Sequence, residues 1–204
     1  MSTAAFWDRA APKYATDPIS DQAGYEKTLG RIRHYLQPDH HVVEIGCGTG
    51  STALSLAPGV KTYRGTDISA GMITIAREKL DTRTPQSLQF DVAAAADLPE
   101  GPIDAILALN LLHLLPDMTQ VLHTCFDALP SGGLLITKTG LLKEGAWYLG
   151  LIIPVMRAIG KAPYVCRMSE TEAFAAFTDA GFELVETIKQ PGIAPRLFTV
   201  HRKP

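Results

Sequence analysis

Residues 42–51, "VVEIGCGTGS", run from a short apolar stretch into three glycines at alternating positions. A β-branched run of this length reads as a strand. Glycines directly after it read as a tight turn that a ligand can approach along the backbone. Two features restrict which nucleotide such a turn can serve. The spacing Gly46, Gly48, Gly50 leaves no glycine at position 51, where the dinucleotide fingerprint carries one for close helix–strand packing. No GK[ST] ending follows either, so a phosphate-wrapping loop is excluded. Glu44 sits two residues before the first glycine; its carboxylate would repel a pyrophosphate and attract an ammonium. Without a phosphate, the turn's amides suit a carboxylate or ribose hydroxyls.

The rest of the chain alternates strand and helix. Residues from about Ala4 to Leu36 read as helical with a break at "TDPISDQAGY", and Tyr25, Leu29, Ile32 and Leu36 share one face. Strands are predicted at "HVVEIG", "KTYRGTD", "SLQFDV", "IDAILALN" and "LLITKTG". Between the second and third, Ser69 is the predicted N-cap of a helix burying Ile73, Ala76 and Leu80. Before the fifth, "PDMTQVLHTCFDALP" turns Val121, Leu122, Cys125 and Leu129 inward. Such alternation predicts a parallel, doubly wound α/β sheet with helices on both faces. The last helix opens at Ser169 with Glu172 as capping-box partner and closes at Gly181. "FELVETIK" and "RLFTVHRK" then follow with only "QPGIAP" between them. So short a connection predicts an antiparallel C-terminal hairpin and seven strands in all.

Acidic and amide residues recur at the strand ends. Asp67 closes the second strand about twenty residues after the glycines, where it can accept both hydroxyls of a ribose. Asp91 closes the third, as an acceptor for an exocyclic adenine amine or as a solvated loop acid, and Asn110 closes the fourth. Together "VVEIGCGTG", "GTDIS..M", "QFDVAAAADLP", "LALNLLHLLPD" and the hairpin after "AGFELVE" resemble the class I S-adenosylmethionine-dependent methyltransferases. The N-terminal "FWDRAAPKYA" is similar to that of the ubiquinone/menaquinone-type small-molecule methyltransferases. The resemblance implies a Rossmann-like fold and S-adenosyl-L-methionine as methyl donor, with S-adenosyl-L-homocysteine as product. It further implies a donor site formed by Tyr14, Glu44, Gly46, Cys47, Gly48, Thr49, Gly50, Asp67, Ile68, Met72, Asp91, Val92, Asn110 and Leu111. Cys47 is expected to fill space, since no histidine or lysine adjoins it to lower its pKa.

Chemistry on the acceptor side is less explicit. A sulfonium donor leaves the protein mainly to align the acceptor and exclude water; a base is needed only where the acceptor must lose a proton. His113, in "NLLHLLPD", is the candidate base, with packing or helix capping as the alternative. Tyr14 either closes over the donor or packs its helix on the sheet. Lys138 either orients an anionic acceptor or is a solvated strand end. One domain is expected over 1–204, with residues 1–38 as a helical lid and 141–168 as a helical insertion over the acceptor. That insertion is rich in Trp147, Tyr148, Ile152, Met156, Tyr164 and Met168, which suits an apolar or aromatic small molecule. Completion of the core or a dimer contact would explain the same residues.

Composition narrows the partners. A net charge of -2 gives no basic field for nucleic acid, and no [DN]PP[YF] follows the fourth strand. Three cysteines without metal-ligand spacing predict no metal site. The longest uncharged apolar run, "GAWYLGLIIPVM", falls short of the roughly 20 residues needed to span a bilayer. An early charged residue and no apolar core argue against a secretory signal. The expectation is a cytoplasmic monomer or homodimer acting on a small molecule. A nicotinamide-dependent oxidoreductase and a non-catalytic S-adenosylmethionine-binding protein are the alternatives.

Overall fold

The computed structural model describes residues 2–204. Its seven strands form one sheet in the order β3-β2-β1-β4-β5-β7-β6. They are β1 (His41–Ile45), β2 (Thr62–Asp67), β3 (Leu88–Val92), β4 (Ala105–Leu109), β5 (Leu134–Gly140), β6 (Glu183–Gln190) and β7 (Arg196–Arg202). β1, β2 and β3 pair parallel, whereas β7 pairs antiparallel with both β5 and β6. This is the mixed, reversed-hairpin sheet the sequence predicts. By internal contacts the chain divides into two compact units, residues 2–106 and 107–204.

In the first unit, two N-terminal helices, α1 (Thr3–Thr16) and α2 (Gln22–Tyr35), precede the sheet. α1 is capped by Ser2 and α2 by Asp21, whose side chains accept from Ala5 and Gly24 respectively. Leu29, Ile32 and Leu36 are buried as their spacing predicts. The strands are joined by α3 (Ser51–Leu56) and α4 (Ala70–Glu78). Ser69 caps α4 by accepting from the Met72 amide at 3.1 Å. Ile73 and Ala76 are buried, but Leu80 is exposed. The helix stops at Glu78, before Leu80 would complete the stripe.

In the second unit, α5 (Met118–Ala128) buries Val121, Leu122 and Cys125, with Leu129 at its C-cap also buried. α7 (Glu170–Asp179) has the capping box of Ser169 and Glu172. β5 is buried along its whole length, Lys138 included, which removes the solvated reading of that lysine. Across the β5–β7 pair, Thr137 and Thr199 share a hydroxyl hydrogen bond of 2.8 Å. His201 is buried in face contact with Phe177, ring centroids 4.0 Å apart, and neither of its ring nitrogens is hydrogen-bonded. α6 (Leu149–Ala158) differs from every other helix longer than one turn. No described α6 side chain is buried, so the core-completing alternative fails.

Candidate functional site

The turn after β1 is built by its three glycines, each with positive φ: Gly46 at 67°, Gly48 at 55° and Gly50 at 76°. They serve different ends. A Cβ on Gly50 would lie 2.6 Å from Phe90 Cζ and 2.9 Å from Ala76 Cβ. Gly50 therefore supplies the close packing that a glycine at 51 gives in the dinucleotide motif. A Cβ on Gly48 would meet only the Tyr14 ring, at 3.7 Å, so Gly48 leaves backbone open beneath Tyr14.

Asp67 ties this turn to the next. Its Oδ2 accepts from the Gly48 amide at 3.0 Å and its Oδ1 from the Ser69 amide at 2.9 Å. The expectation that the turn's amides all face a ligand needs correction. Those of Cys47, Gly48 and Gly50 are engaged with Thr66 O, Asp67 and Cys47 O. Those bonds hold the turn from within the protein. Burial raises the Asp67 pKa, the Ser69 and Gly48 amides lower it, and the Asp8 charge raises it again.

Glu44 lies buried beneath, accepting from the Tyr63 hydroxyl at 2.8 Å. Burial pushes its pKa up to about 8, against the Tyr63 bond and with the Asp67 charge adding to the rise. A buried carboxyl group with a single neutral partner is one that a cation beside it would ionise. Cys47 is buried, and burial first, then Glu44 and Asp67, drive its thiol far above the usual range. It is a space-filling thiol, not a nucleophile. Thr49 is buried, and its carbonyl accepts from Lys79 Nζ at 2.7 Å. Met72 is buried in α4, whereas Ile68 and Val92 are exposed, Val92 being in register with Asp67.

Asp91 has neighbours that its strand-end position did not announce. Its carboxylate faces Arg64 Nη2 at 3.5 Å and Arg77 Nη2 at 3.4 Å, and Arg77 Nε also donates to Phe90 O at 2.9 Å. With its side chain 45% exposed, the acid shares these two guanidiniums and keeps lone pairs toward solvent. Sequence reasoning also missed Asp8. From α1 it accepts from Ser69 Oγ at 2.7 Å and from the Gly71 amide at 3.0 Å. This fastens α1 to the first turn of α4, where a carboxylate also opposes the helix dipole. The signal lay in "FWDRAAPKYA", read as a resemblance without a role for its aspartate. Tyr63 and Lys79 carried no motif.

The remaining candidates lie in the second unit. Asn110 is the one non-glycine with positive φ among the described residues, at 56°, and its amide donates to Lys138 O at 2.6 Å. Leu111 is half-buried and precedes a single 3-10 turn over residues 112–114. His113 Nδ1 accepts from the Gly140 amide at 3.2 Å and lies 3.2 Å from Thr139 Oγ1. Burial, helped by the Arg196 charge, lowers its pKa to about 4. The ring is thus neutral near pH 7 with its proton on Nε2. One nitrogen is occupied and the other already protonated, which disfavours the expected base role. No cluster of metal-ligating side chains occurs among the described residues.

Residues 43–135 match the family model for a methyltransferase domain. Over those residues the chain is similar to methyltransferase domains. It is similar to the fusarin C synthetase of Gibberella fujikuroi, 30% identical over 152 residues. That match covers 62% of this chain and only 4% of the synthetase. An S-adenosylmethionine-dependent methyltransferase of Thermotoga maritima has the same fold over 100% of both chains, with a TM-score of 0.73 and 22% identity. The magnesium protoporphyrin IX methyltransferase of Synechocystis, solved with S-adenosylhomocysteine, has the same fold over 99% of this chain and 95% of its own. Its TM-score is 0.74 at 18% identity.

Proposed function

We propose that this protein moves the methyl group of S-adenosyl-L-methionine to a small-molecule acceptor that is apolar or aromatic. The observation that carries the reading is the pair of carboxylates about one glycine turn: Asp67, bonded to the Gly48 amide at 3.0 Å, and the buried Glu44. When bound, the donor supplies a methyl carbon already activated by a sulfonium. Asp67 keeps lone pairs on both oxygens to accept from ribose hydroxyls. Glu44 offers negative charge to an ammonium, and Gly48 gives the methionine tail room that a side chain would fill. Tyr14, from the 1–38 segment, covers that opening.

The insertion over 141–168 supports the acceptor class. Its Ile153, Pro154, Ala158 and Val165 line a cavity of about 400 Å³ together with Arg157 and Arg167. Alignment and exclusion of water are then the protein's main contributions. No base is assigned. No described helix is long and apolar enough to cross a membrane, and the cytoplasm suits three free cysteines.

Calorimetry with S-adenosylhomocysteine tests the donor half. Asp67→Ala is expected to weaken binding at least about tenfold, or ~1.4 kcal/mol, because a lost charge-assisted hydrogen bond is worth that much. An unchanged dissociation constant removes Asp67 from the site. Labelled donor offered with quinones, phenols, amines and thiols tests the acceptor half. Donor binding without transfer to any of them would favour the non-catalytic alternative.

A further inference from the structure

α6 is built the wrong way round for a helix of a soluble domain. At 100° per residue, Tyr148, Leu151, Ile152, Val155 and Ile159 share one face. That face looks to solvent: Leu151 is 65% exposed, Val155 62% and Ile159 61%, with Trp147 at 78% just before the helix. Ile193, 68% exposed on the β6–β7 turn, lies alongside, since the Ala146 amide donates to its carbonyl at 2.8 Å. The opposite face, with Ile153, Pro154, Arg157 and Ala158, lines the cavity. An exposed apolar patch of this kind marks a docking surface.

Charge identifies what it docks against. From Gly145 to Ser169 there is no acidic residue, while Arg157, Lys161 and Arg167 are all exposed. None of the three has an ion pair among the described residues. The three nearest acids in sequence are largely offset by two lysines. Glu144 and Glu170 both accept from Lys189 at 2.6 Å, and Glu172 pairs with Lys143. The segment is therefore locally cationic on a chain of net charge -2. A helix of ten residues is about 15 Å long and 10 Å wide, far short of the roughly 800 Å² per partner that a stable dimer uses. A planar surface needs no such complementary area.

We propose that α6 and Trp147 lie against an anionic lipid bilayer surface, the apolar stripe sunk among the acyl chains and Arg157, Lys161 and Arg167 at headgroup level. Aromatic and cationic residues beside an apolar helix face are the physical signature of interfacial binding without spanning. The proposal does not rest on methyl transfer, because donor binding involves other residues.

Flotation of the full chain with phosphatidylcholine vesicles, with and without phosphatidylserine, tests it. Binding is expected on the anionic vesicles and should fall as salt rises. It should drop about tenfold or more in Leu151→Glu/Val155→Glu, and measurably in Lys161→Glu. Thermal unfolding of each variant serves as the control for folding. If the doublet fails to fold, a Trp7→Phe chain leaves Trp147 as the sole indole, whose emission should shift to the blue on the same vesicles. No flotation at low salt overturns the proposal. So does flotation indifferent to both substitutions, an unshifted Trp147, or a dimer that Leu151→Glu/Val155→Glu dissolves with no vesicle binding.

Discussion

Glu44 carries a proton that the proposed donor would have to displace. With its pKa near 8 in the free protein, it is mostly neutral at pH 7, and an ammonium beside it would restore the charge. Binding of S-adenosylhomocysteine is therefore expected to release a proton near neutrality and to tighten as pH rises from 6 toward about 8. Calorimetry in buffers of different ionisation enthalpy reads this directly, and a heat independent of buffer would separate Glu44 from the ligand. Gly48→Val should abolish that binding, through its positive φ of 55° and the Tyr14 ring beside it. Gly50→Ala should act on stability instead, by about 1–3 kcal/mol, because its Cβ has no room against Phe90. Chemical unfolding of the two variants would tell these roles apart.

Among elements, α1 is hydrogen-bonded to the start of α4 through one side chain, Asp8. Asp8→Ala removes the acceptor for Ser69 Oγ and the Gly71 amide. Amide exchange over residues 3–16 is expected to accelerate while the β1–β3 strands keep their protection. Uniform exchange in both proteins would show that α1 is held some other way. Strand and helix periodicity, the Ser69 cap and the Ser169–Glu172 box were legible because each is written within a few consecutive residues. Asp8–Ser69, Tyr63–Glu44 and Arg64–Asp91–Arg77 join positions 61, 19 and 14 to 27 residues apart, and no local pattern encodes such meetings. Asp91 shows the limit best. Its position at a strand end was evident, but the two guanidiniums that face it come from β2 and α4. α6 shows the reverse case, since its apolar stripe was plain in the sequence while the side it faces was not.

For the molecule as a whole, three groups shifted by burial set opposing pH gradients. His113 and His201 titrate near 4 when folded, below the ordinary 6.5, so the unfolded chain binds more protons between those values. Their contribution is fully present above about 6.5 and is lost as pH falls toward 4. Glu44 is raised from 4.5 to about 8, so its contribution is present below 4.5 and lost as pH rises through 8. Two groups outweigh one at acid pH, and Glu44 acts alone above neutrality, which puts the stability maximum near about pH 6.5. His201→Phe should flatten the acid limb and raise the unfolding midpoint, because both ring nitrogens lie buried without partners. A midpoint that climbs steadily to pH 8 would contradict this balance. The Ala146–Ile193 bond has its own use. Because it staples the approach to α6 onto the hairpin turn, anything that pulls that helix outward must first unfasten it, making one backbone nitrogen a built-in strain gauge that isotope labelling can read without altering a residue.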